Sequence, residues 1–404
     1  MQKTRHVYQT IFILAAIILT ARNLLGYTKA TIESWCPGGG IESLVFYVKN
    51  NAFLCAVSGL NLILFIAITI GTLIAGRAFC SWVCPIGTIH ELLARAGKAL
   101  GIRRDTAWQG AGRYVGLVRY PVLLLILWAT MSYADLILRP FCPYYVVMSG
   151  QEHEIAWWSK WLMVALGGMA LALPFFWCRL LCPLGTTLGL FRLASPVAPT
   201  IDPGRCTSCG DCSRSCPQQI LVHEVRRVWS TECTSCAVCI DACPHRAIGM
   251  KIGYTAPSRA SEGSETSDRK RFGLSRKFLP AIVALMMLAG ILTAWNIPMP
   301  TVSKTFGNYG KTANTASVEM IVTGLRCRGT ALTFSWIIEQ DSGILSFDAF
   351  VAEHRARILY DPAAIDPKRI KALIEDGRTR KDKKTGIETL VRPFIVERIL
   401  EQEE

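Results

Sequence analysis

Charged side chains and histidines are scarce in this sequence of 404 residues. Asp, Glu, Lys and Arg make up only 18% of it and there are six histidines, whereas 51% of the residues are hydrophobic and the mean hydropathy is +0.31. The low charge excludes a disordered chain, and the length and composition exclude a collagen or a small disulfide scaffold. A chain this apolar is expected to place many residues in a membrane.

Nucleotide-binding motifs are also absent from the sequence. No G-x-G-x-x-G opens a helix after a strand, and no P-loop occurs. None of the six histidines lies in a long apolar segment; they are His6, His90, His153, His223, His245 and His354. These absences exclude a nucleotide or flavin site recognisable by motif, and a bis-histidine haem within the membrane.

Five apolar segments approach the length of a membrane-spanning helix. A bilayer core of ~30 Å needs about 20 mostly apolar residues in a helix. Segments 59–79 and 278–295 meet this requirement well, whereas segments 7–25, 114–138 and 157–177 contain charged residues and are alternatively buried core helices. We predict five transmembrane helices.

The basic residues indicate the orientation of these segments. The chain has 44 Lys and Arg against 30 Asp and Glu, a formal net charge of +14. Basic residues lie before the first segment, within 85–113 and within 269–277, and are sparse within 29–57 and 139–156. Because Lys and Arg collect on the cytoplasmic side, we predict a multi-pass protein of the inner membrane with a cytoplasmic N-terminus and a periplasmic C-terminal domain. This distribution favours a membrane over nucleic acid as the partner.

The first four segments contain two copies of one cysteine pattern. Segment two ends in CSWVCPIGT, with Cys80 and Cys84, and segment four ends in CRLLCPLGT, with Cys178 and Cys182. Cysteines four residues apart share a helix face, so a tandem duplication would gather four thiols at the cytoplasmic surface. Four thiols suit an additional iron–sulfur cluster or redox thiols. The alternative is packing, since free cysteine behaves as a small buried hydrophobe.

Each copy also has a Cys-Pro in its outer connection, at Cys36 and Cys142. On the outer side, these two thiols would form a structural disulfide, a redox pair or a soft metal site. The inner and outer cysteines are then expected to lie about one hydrocarbon thickness apart, ~30 Å. A quinone near the intramembrane charges Asp135, Arg119 or Lys160 would bridge this gap.

Residues 206–244 carry the most specific pattern. CTSCGDCSRSCP and CTSCAVCIDACP are two C-x₂-C-x₂-C-x₃-C-P runs, in which the fourth cysteine of each run ligates the other cluster. Zinc sites use two C-x-x-C pairs or Cys/His mixtures instead. The sequence therefore predicts two [4Fe–4S] clusters, cluster 1 on Cys206, Cys209, Cys212 and Cys243, and cluster 2 on Cys233, Cys236, Cys239 and Cys216.

The two CxxxCP motifs followed by a double ferredoxin run resemble the membrane polyferredoxins of the NapH and NosR type and the related FixG-like oxidase assembly proteins. The resemblance covers residues 1–250. It implies a membrane-bound electron carrier that serves periplasmic redox chemistry, often with electrons from quinol. In the FixG-like branch it implies reduction of copper for oxidase assembly.

The C-terminal part continues beyond these motifs. Residues 251–277 are predicted to be a linker and residues 278–297 a fifth transmembrane helix. Hydrophobic periodicity within 315–404 predicts the order β-α-β-β-α, with TLVRPFIVERI as a closing strand, a ferredoxin-like βαββαβ fold. The GLRCRGT loop resembles that of a heavy-metal-associated domain, but its second cysteine position is Thr330. Cys327 is therefore either a relic in a docking domain or a weak copper ligand that needs a partner's ligands.

The sequence thus predicts a four-helix membrane domain (1–195), a ferredoxin domain (196–250), a linker, a fifth helix and an α+β domain. We expect an electron-transfer protein that relays electrons from a cytoplasmic donor or quinol through two [4Fe–4S] clusters to a periplasmic acceptor. The alternative is a copper reductase or assembly factor for a metalloenzyme. As an enzyme it would be a quinol dehydrogenase or a cupric reductase component.

Overall fold

A computed structural model describes most of the chain. The described residues are 2–24, 36–50, 58–102, 112–133, 137–148, 157–253, 278–296, 300–306, 315–325, 328–376, 378–381, 388–391 and 394–403. The chain forms two compact units, Met1–Glu42 with Ile63–Thr293, and Ser43–Leu62 with Ala294–Glu404. The domain boundaries predicted at residues 195, 250 and 277 stay predictions.

The described residues before position 195 are mainly helical. Its helices are α1 (Gln2–Leu24), α2 (Gly39–Asn50), α3 (Ser58–Ala75), α4 (Phe79–Trp82), α5 (Pro85–Ala99), α6 (Gly112–Val115), α7 (Arg119–Tyr133), α8 (Pro143–Met148), α9 (Trp157–Ala172), α10 (Phe176–Leu180) and α11 (Pro183–Leu193). Large apolar side chains such as Ile18, Leu124 and Trp161 are more than half exposed on α1, α7 and α9. Such apolar outer faces are unfavourable in water and suit contact with lipid.

The ferredoxin-like runs lie between two short strands. β1 (Val197–Ile201) and β2 (Ile248–Ile252) pair antiparallel and bracket α12 (Asp211–Arg214) and α13 (Val238–Asp241). Each of these one-turn helices lies inside one cysteine run. The two helices occupy equivalent positions, so the domain repeats one structural unit.

Two described stretches of helix are long and apolar enough to cross a bilayer, Gln2–Ala21 and Gly116–Tyr133. The helices at the second and fourth predicted segments end earlier than expected, at Ala75 and Ala172. A left-handed residue follows each of these helices and is incompatible with its continuation: Gly76 (φ +70°) and Phe175 (φ 57°). The fifth predicted segment is α14 (Phe278–Asn296). The total of five transmembrane helices stays a prediction.

The C-terminal unit contains a five-stranded antiparallel sheet. Its elements are β3 (Val302–Thr305), β4 (Ala316–Thr323), α15 (Arg328–Ile338), β5 (Ile344–Phe350), β6 (Arg355–Tyr360), α16 (Pro367–Glu375) and β9 (Ile395–Glu403), and the strand order is β3-β5-β6-β4-β9. β7 (Arg378–Lys381) and β8 (Glu388–Val391) form a separate two-stranded sheet. Residues 389–391, predicted to begin the closing strand, thus belong to β8. The closing strand begins after Pro393, which has no backbone N–H to donate to a ladder.

Three phenylalanines form the centre of this C-terminal core. The Phe334 ring stacks on Phe347 with 5.1 Å between centroids and meets Phe394 edge-on at 5.0 Å. All three are buried. Helix α16 closes over the sheet, with Asp366 as its N-cap accepting from the Arg369 N–H at 3.0 Å.

Candidate metal centres

Four cysteines from the two runs surround one small pocket. Cys216 of the first run lies with Cys233, Cys236 and Cys239 of the second run. The rest of the wall is mainly apolar and includes Pro199, Ile220, Val222 and Val228. The structure therefore brings together the four thiols that the sequence assigns to cluster 2.

The backbone around these thiols has a repeated, unusual conformation. Non-glycine residues with positive φ are rare, yet three pairs of left-handed residues lie at equivalent positions of the two runs: Ser208 and Ser235, Gly210 and Ala237, Gln219 and Arg246. Left-handed residues next to right-handed ones point successive N–H groups into a concavity, an arrangement found around iron–sulfur sites. The residues present thus fit a [4Fe–4S] cluster in both donor type and backbone conformation.

The thiols assigned to cluster 1 lie closer to solvent. Cys209 is exposed, Cys206 and Cys243 are half-buried, and only Cys212 is buried. The Ala247 N–H donates to the Cys243 sulfur at 3.3 Å. The first-run centre is therefore the more accessible of the two.

Burial sets the protonation of the second set of thiols. Burial, with the neighbouring Cys236 and Cys233, raises the pKa of Cys216 to about 12. Burial and nearby thiols also raise the pKa of Cys239 well above its usual value. In the metal-free protein these groups are protonated at neutral pH, so cluster binding must release protons.

Six further cysteines line a single apolar cavity of about 260 Å³: Cys36, Cys80, Cys84, Cys142, Cys178 and Cys182. The Cys36 and Cys142 side chains are hydrogen-bonded to each other. The prediction that Cys36 and Cys142 lie ~30 Å from the CxxxCP cysteines is therefore wrong.

Buried hydrogen bonds hold the start of the first outer connection beside residues 130–138, which precede Cys142. The first connection forms α2, and its buried Glu42 accepts from the Thr130 hydroxyl at 2.6 Å and from the Leu138 N–H at 3.3 Å. Leu138 precedes Cys142, whose N–H bonds to the Leu138 carbonyl at 2.9 Å. Glu42 thus ties the two connections together beside the cavity.

Glycine after each CxxxCP motif allows a tight turn. A Cβ on Gly185 would lie 2.8 Å from the carbonyl oxygen of Cys178 and 2.7 Å from the Arg77 guanidinium, and a Cβ on Gly87 would collide with the carbonyl oxygen of Cys80. Only glycine fits this approach of a helix start to the preceding cysteine. The glycine of the C-x-x-x-C-P-x-G pattern is therefore a packing requirement.

The loop of the second cysteine run packs on the ends of the helices that carry the cavity. The Ser81 hydroxyl donates to the Thr234 carbonyl at 2.8 Å, and the fully buried Trp82 indole N–H donates to the Ser235 carbonyl at 3.2 Å. Arg77 donates to the Thr231 carbonyl at 3.2 Å and, through Nε, to the Cys80 sulfur at 3.2 Å. Arg77 thus contacts both sets of cysteines.

A buried ion group holds the same loop. Glu232 pairs with Arg119 and lies 3.6 Å from Arg179 Nε. Arg119 also donates to the Thr231 hydroxyl at 2.9 Å. Arg119, which we expected near a quinone, therefore binds the ferredoxin loop. Asp135 lies outside the described residues.

A second buried ion group joins α1 to α5. Arg5 donates to Glu91 from two nitrogens, at 2.5 and 3.0 Å, while Arg95 and the Gln9 amide contact the same carboxylate. Gln9 also donates to the Ser81 carbonyl at 3.0 Å. Burial alone would raise the pKa of Glu91, but Arg5, Gln9 and Arg95 outweigh it, so the pKa lies below its usual value.

Sequence reasoning missed Glu42, Glu232, Arg77 and Trp82 as parts of these sites. Their partners lie far away along the chain, so no local pattern marks them. The predicted copper ligand Cys327 lies outside the described residues. The likeness of the C-terminal unit to a heavy-metal-associated domain stays a prediction.

Comparison with known proteins places these sites in a family context. The 4Fe-4S binding domain family matches residues 57–103 and 156–196, and the 4Fe-4S dicluster domain family matches residues 198–244. No solved structure matches the chain.

Curated relatives match the same region. The putative electron transport protein YccM of Escherichia coli (strain K12) is 28% identical over 207 residues, 50% of this chain and 58% of YccM. The ferredoxin-type protein NapH of Haemophilus influenzae is 30% identical over 152 residues, 37% of this chain and 50% of NapH. The regulatory protein NosR of Pseudomonas aeruginosa is 28% identical over 169 residues, 40% of this chain and 23% of NosR. The matched region thus spans about half, or less, of these relatives. The chain thus contains 4Fe–4S domains and is similar, over that region, to the NapH- and NosR-like proteins.

Proposed function

We propose that this chain is a membrane-bound iron–sulfur electron carrier. It accepts electrons from a cytoplasmic donor or quinol and passes them through two [4Fe–4S] clusters toward a periplasmic redox acceptor. The names of the relatives support electron transport in general, and the apolar outer faces of α1, α7 and α9 support the membrane location.

The grouping of Cys216 with Cys233, Cys236 and Cys239 carries this proposal. When bound, [4Fe–4S] clusters supply one-electron chemistry at potentials set by hydrogen bonds to sulfur and by solvent exposure. In this chain, Cys209 is exposed whereas Cys216, Cys233 and Cys239 are buried. We infer that the exposed first-run centre receives the electron and that the buried second centre passes it on.

Residues of the helix ends favour an onward path from the second centre. The Ser81 hydroxyl and the Trp82 indole donate to the Thr234 and Ser235 carbonyls, between Cys233 and Cys236. Arg77 donates hydrogen bonds to both the Thr231 carbonyl and the Cys80 sulfur. These side chains hold the loop of the second run against the helix ends beside the cavity.

The test is cluster content of the full chain, purified without oxygen in detergent. We expect about eight irons and eight sulfides from the two ferredoxin clusters, with an EPR signal after dithionite reduction. Cys216→Ala should lose about four of these irons, whereas the neighbouring Ser215→Ala should lose none. Colourless protein that contains zinc and no EPR signal would refute the proposal.

The thiol-lined cavity favours one second candidate function, the reduction or delivery of copper, because thiolates are soft ligands that select Cu(I). Wild-type protein would then reduce cupric ion faster than Cys36→Ser/Cys142→Ser, and Cu(I) titration under a competing chelator would distinguish wild type from Cys327→Ala. Equal behaviour of all three proteins would remove this candidate.

A further inference from the structure

The six cavity cysteines fall into two chemical groups. Four of them directly precede a proline: Cys36, Cys84, Cys142 and Cys182. The sulfur of each one faces backbone N–H groups of the turn that follows it. The N–H of Gly185 donates to the Cys182 sulfur at 3.3 Å.

Backbone amides also lie close to the sulfur at the other three Cys-Pro positions. Those of Ile86 and Gly87 lie close to Cys84. The corresponding amides are those of Gly38 and Gly39 for Cys36, and of Tyr144 and Tyr145 for Cys142. Proline has no N–H to donate, so the turn offers the sulfur the next two amides. Backbone N–H groups directed at sulfur are a feature that tunes bound iron–sulfur clusters.

Cys80 and Cys178 have a different environment. The Cys80 sulfur accepts from the Arg77 guanidinium at 3.2 Å, and the Cys178 carbonyl accepts from Arg77 at 3.4 Å. These two cysteines therefore lie beside a buried cation and lack the Cys-Pro turn. The sequence motif alone does not distinguish the two cysteines of each CxxxCP, whereas in the structure their surroundings differ.

We propose that Cys36, Cys84, Cys142 and Cys182 ligate one further iron–sulfur cluster on the pseudo-two-fold axis of the duplication. The inference rests on the proposed function and extends it to the two outer cysteines. Each copy contributes two of the four ligands. Cys80 and Cys178 are neighbours of this centre and not ligands.

The size of the cavity favours a cluster over a single ion. Its volume of about 260 Å³ exceeds what one ion needs, since ~15 Å³ holds a water.

Arg77 links this centre to the ferredoxin loop. Its guanidinium contacts the Thr231 carbonyl on one side and the Cys80 sulfur at the cavity wall on the other. The exchange between the two centres involves an electron alone: the ferredoxin side is oxidised by one electron, the cavity side is reduced by one, and no bond or proton changes. The donor that reduces the ferredoxin clusters supplies the electron.

The experiment compares iron and sulfide content, Mössbauer spectra and EPR of anaerobically purified full chain. Wild type should contain two or four irons more than the roughly eight of the ferredoxin clusters. Cys36→Ala/Cys142→Ala and Cys84→Ala/Cys182→Ala should each lose this additional iron and retain the ferredoxin EPR signals, which report folding. Cys80→Ala/Cys178→Ala is the matched control in the same cavity and should retain all the iron.

Each contrary result has a distinct meaning. A wild-type content of about eight irons, unchanged in Cys36→Ala/Cys142→Ala, would overturn the inference and leave the ferredoxin function intact. Loss of the additional iron in Cys80→Ala/Cys178→Ala but not in Cys36→Ala/Cys142→Ala would overturn the ligand assignment. Copper in place of the additional iron would overturn the cluster. Absence of all iron would instead refute the proposed function itself.

Discussion

Glu232 is the carboxylate that fixes the second cysteine run against the helix ends, and Glu232→Gln tests this role. In the structure Glu232 pairs with Arg119 and lies near Arg179, and all three side chains are less than 10% exposed. Glutamine keeps the size of the side chain and removes its charge. The two arginines would then be buried without their counter-charge.

The expected cost follows from this burial. Removing one partner of a buried ion pair destabilises by about 3–5 kcal/mol. We expect the lower end, about 3 kcal/mol, because the glutamine amide oxygen still accepts a hydrogen bond. Since 1.4 kcal/mol changes an equilibrium constant tenfold, the equilibrium constant for opening of the loop at Thr231–Ser235 should rise roughly 100-fold.

Hydrogen exchange of the full chain in detergent measures this opening. Amides of residues 231–236 should exchange roughly 100-fold faster in Glu232→Gln, and the EPR signals of the ferredoxin centres should remain. Asp202→Asn is the matched control, because Asp202 forms an exposed pair with Arg205 and such pairs contribute about 1 kcal/mol or less. Equal exchange in the two variants would refute the anchoring role of Glu232.

Three further changes test other parts of the structure. Gly87→Ala should destabilise the turn by about 1–3 kcal/mol, because the new Cβ collides with the Cys80 carbonyl. The amide hydrogens of α5 should exchange faster in Gly87→Ala than in the control Gly168→Ala, where space is open. Equal exchange rates in the two variants would contradict this prediction. Glu91→Gln should lower the free energy of unfolding above pH 4.5, where the wild-type carboxylate is charged. Because the pKa of Glu91 is lowered in the folded state, the difference from wild type should vanish as the pH falls through that lowered value. A difference in unfolding free energy that does not depend on pH would contradict this prediction. Phe334→Ala should destabilise the C-terminal sheet by about 3–5 kcal/mol, seen as faster proteolysis of residues 315–403 with unchanged iron content.

The ferredoxin pattern could be read from the sequence because its ligands are local. The spacing of each run places three thiols within one loop, and the family rule of the fourth cysteine pairs Cys216 with the second run, where the structure also places it. The left-handed serines Ser208 and Ser235 have no sequence signal of their own, since serine rarely adopts that conformation.

The cavity could not be read correctly because hydropathy gives the length of apolar segments and not the path of the connections. Cys36 and Cys142 follow from the sequence as a related pair, but their place in the cavity wall goes with contacts between distant parts of the chain, such as those of Glu42 with Thr130 and Leu138. Glu42 lies 88 residues before its partner Thr130, so no local sequence pattern indicates their contact. The one available signal is the Cys-Pro dipeptide, which the two connections share with both CxxxCP motifs.

In the C-terminal unit the alternation of apolar residues places β4, β5 and β6 correctly, because a half-buried strand repeats every two residues. The edge strand β3 has only four residues and pairs with β5 alone. The sequence around β3 is typical of a turn-rich connection. The segment is therefore a strand because it pairs with β5, and not because its residues prefer strand conformation.

The shared cavity imposes an order on biogenesis. Because both copies supply its walls, no metallocentre can be built there until the ribosome has synthesised the chain through Cys182. The Thr231–Ser235 loop packs on Arg77, Ser81 and Trp82, next to the cavity. The proposed cavity cluster can therefore be assembled only after the second copy has been made.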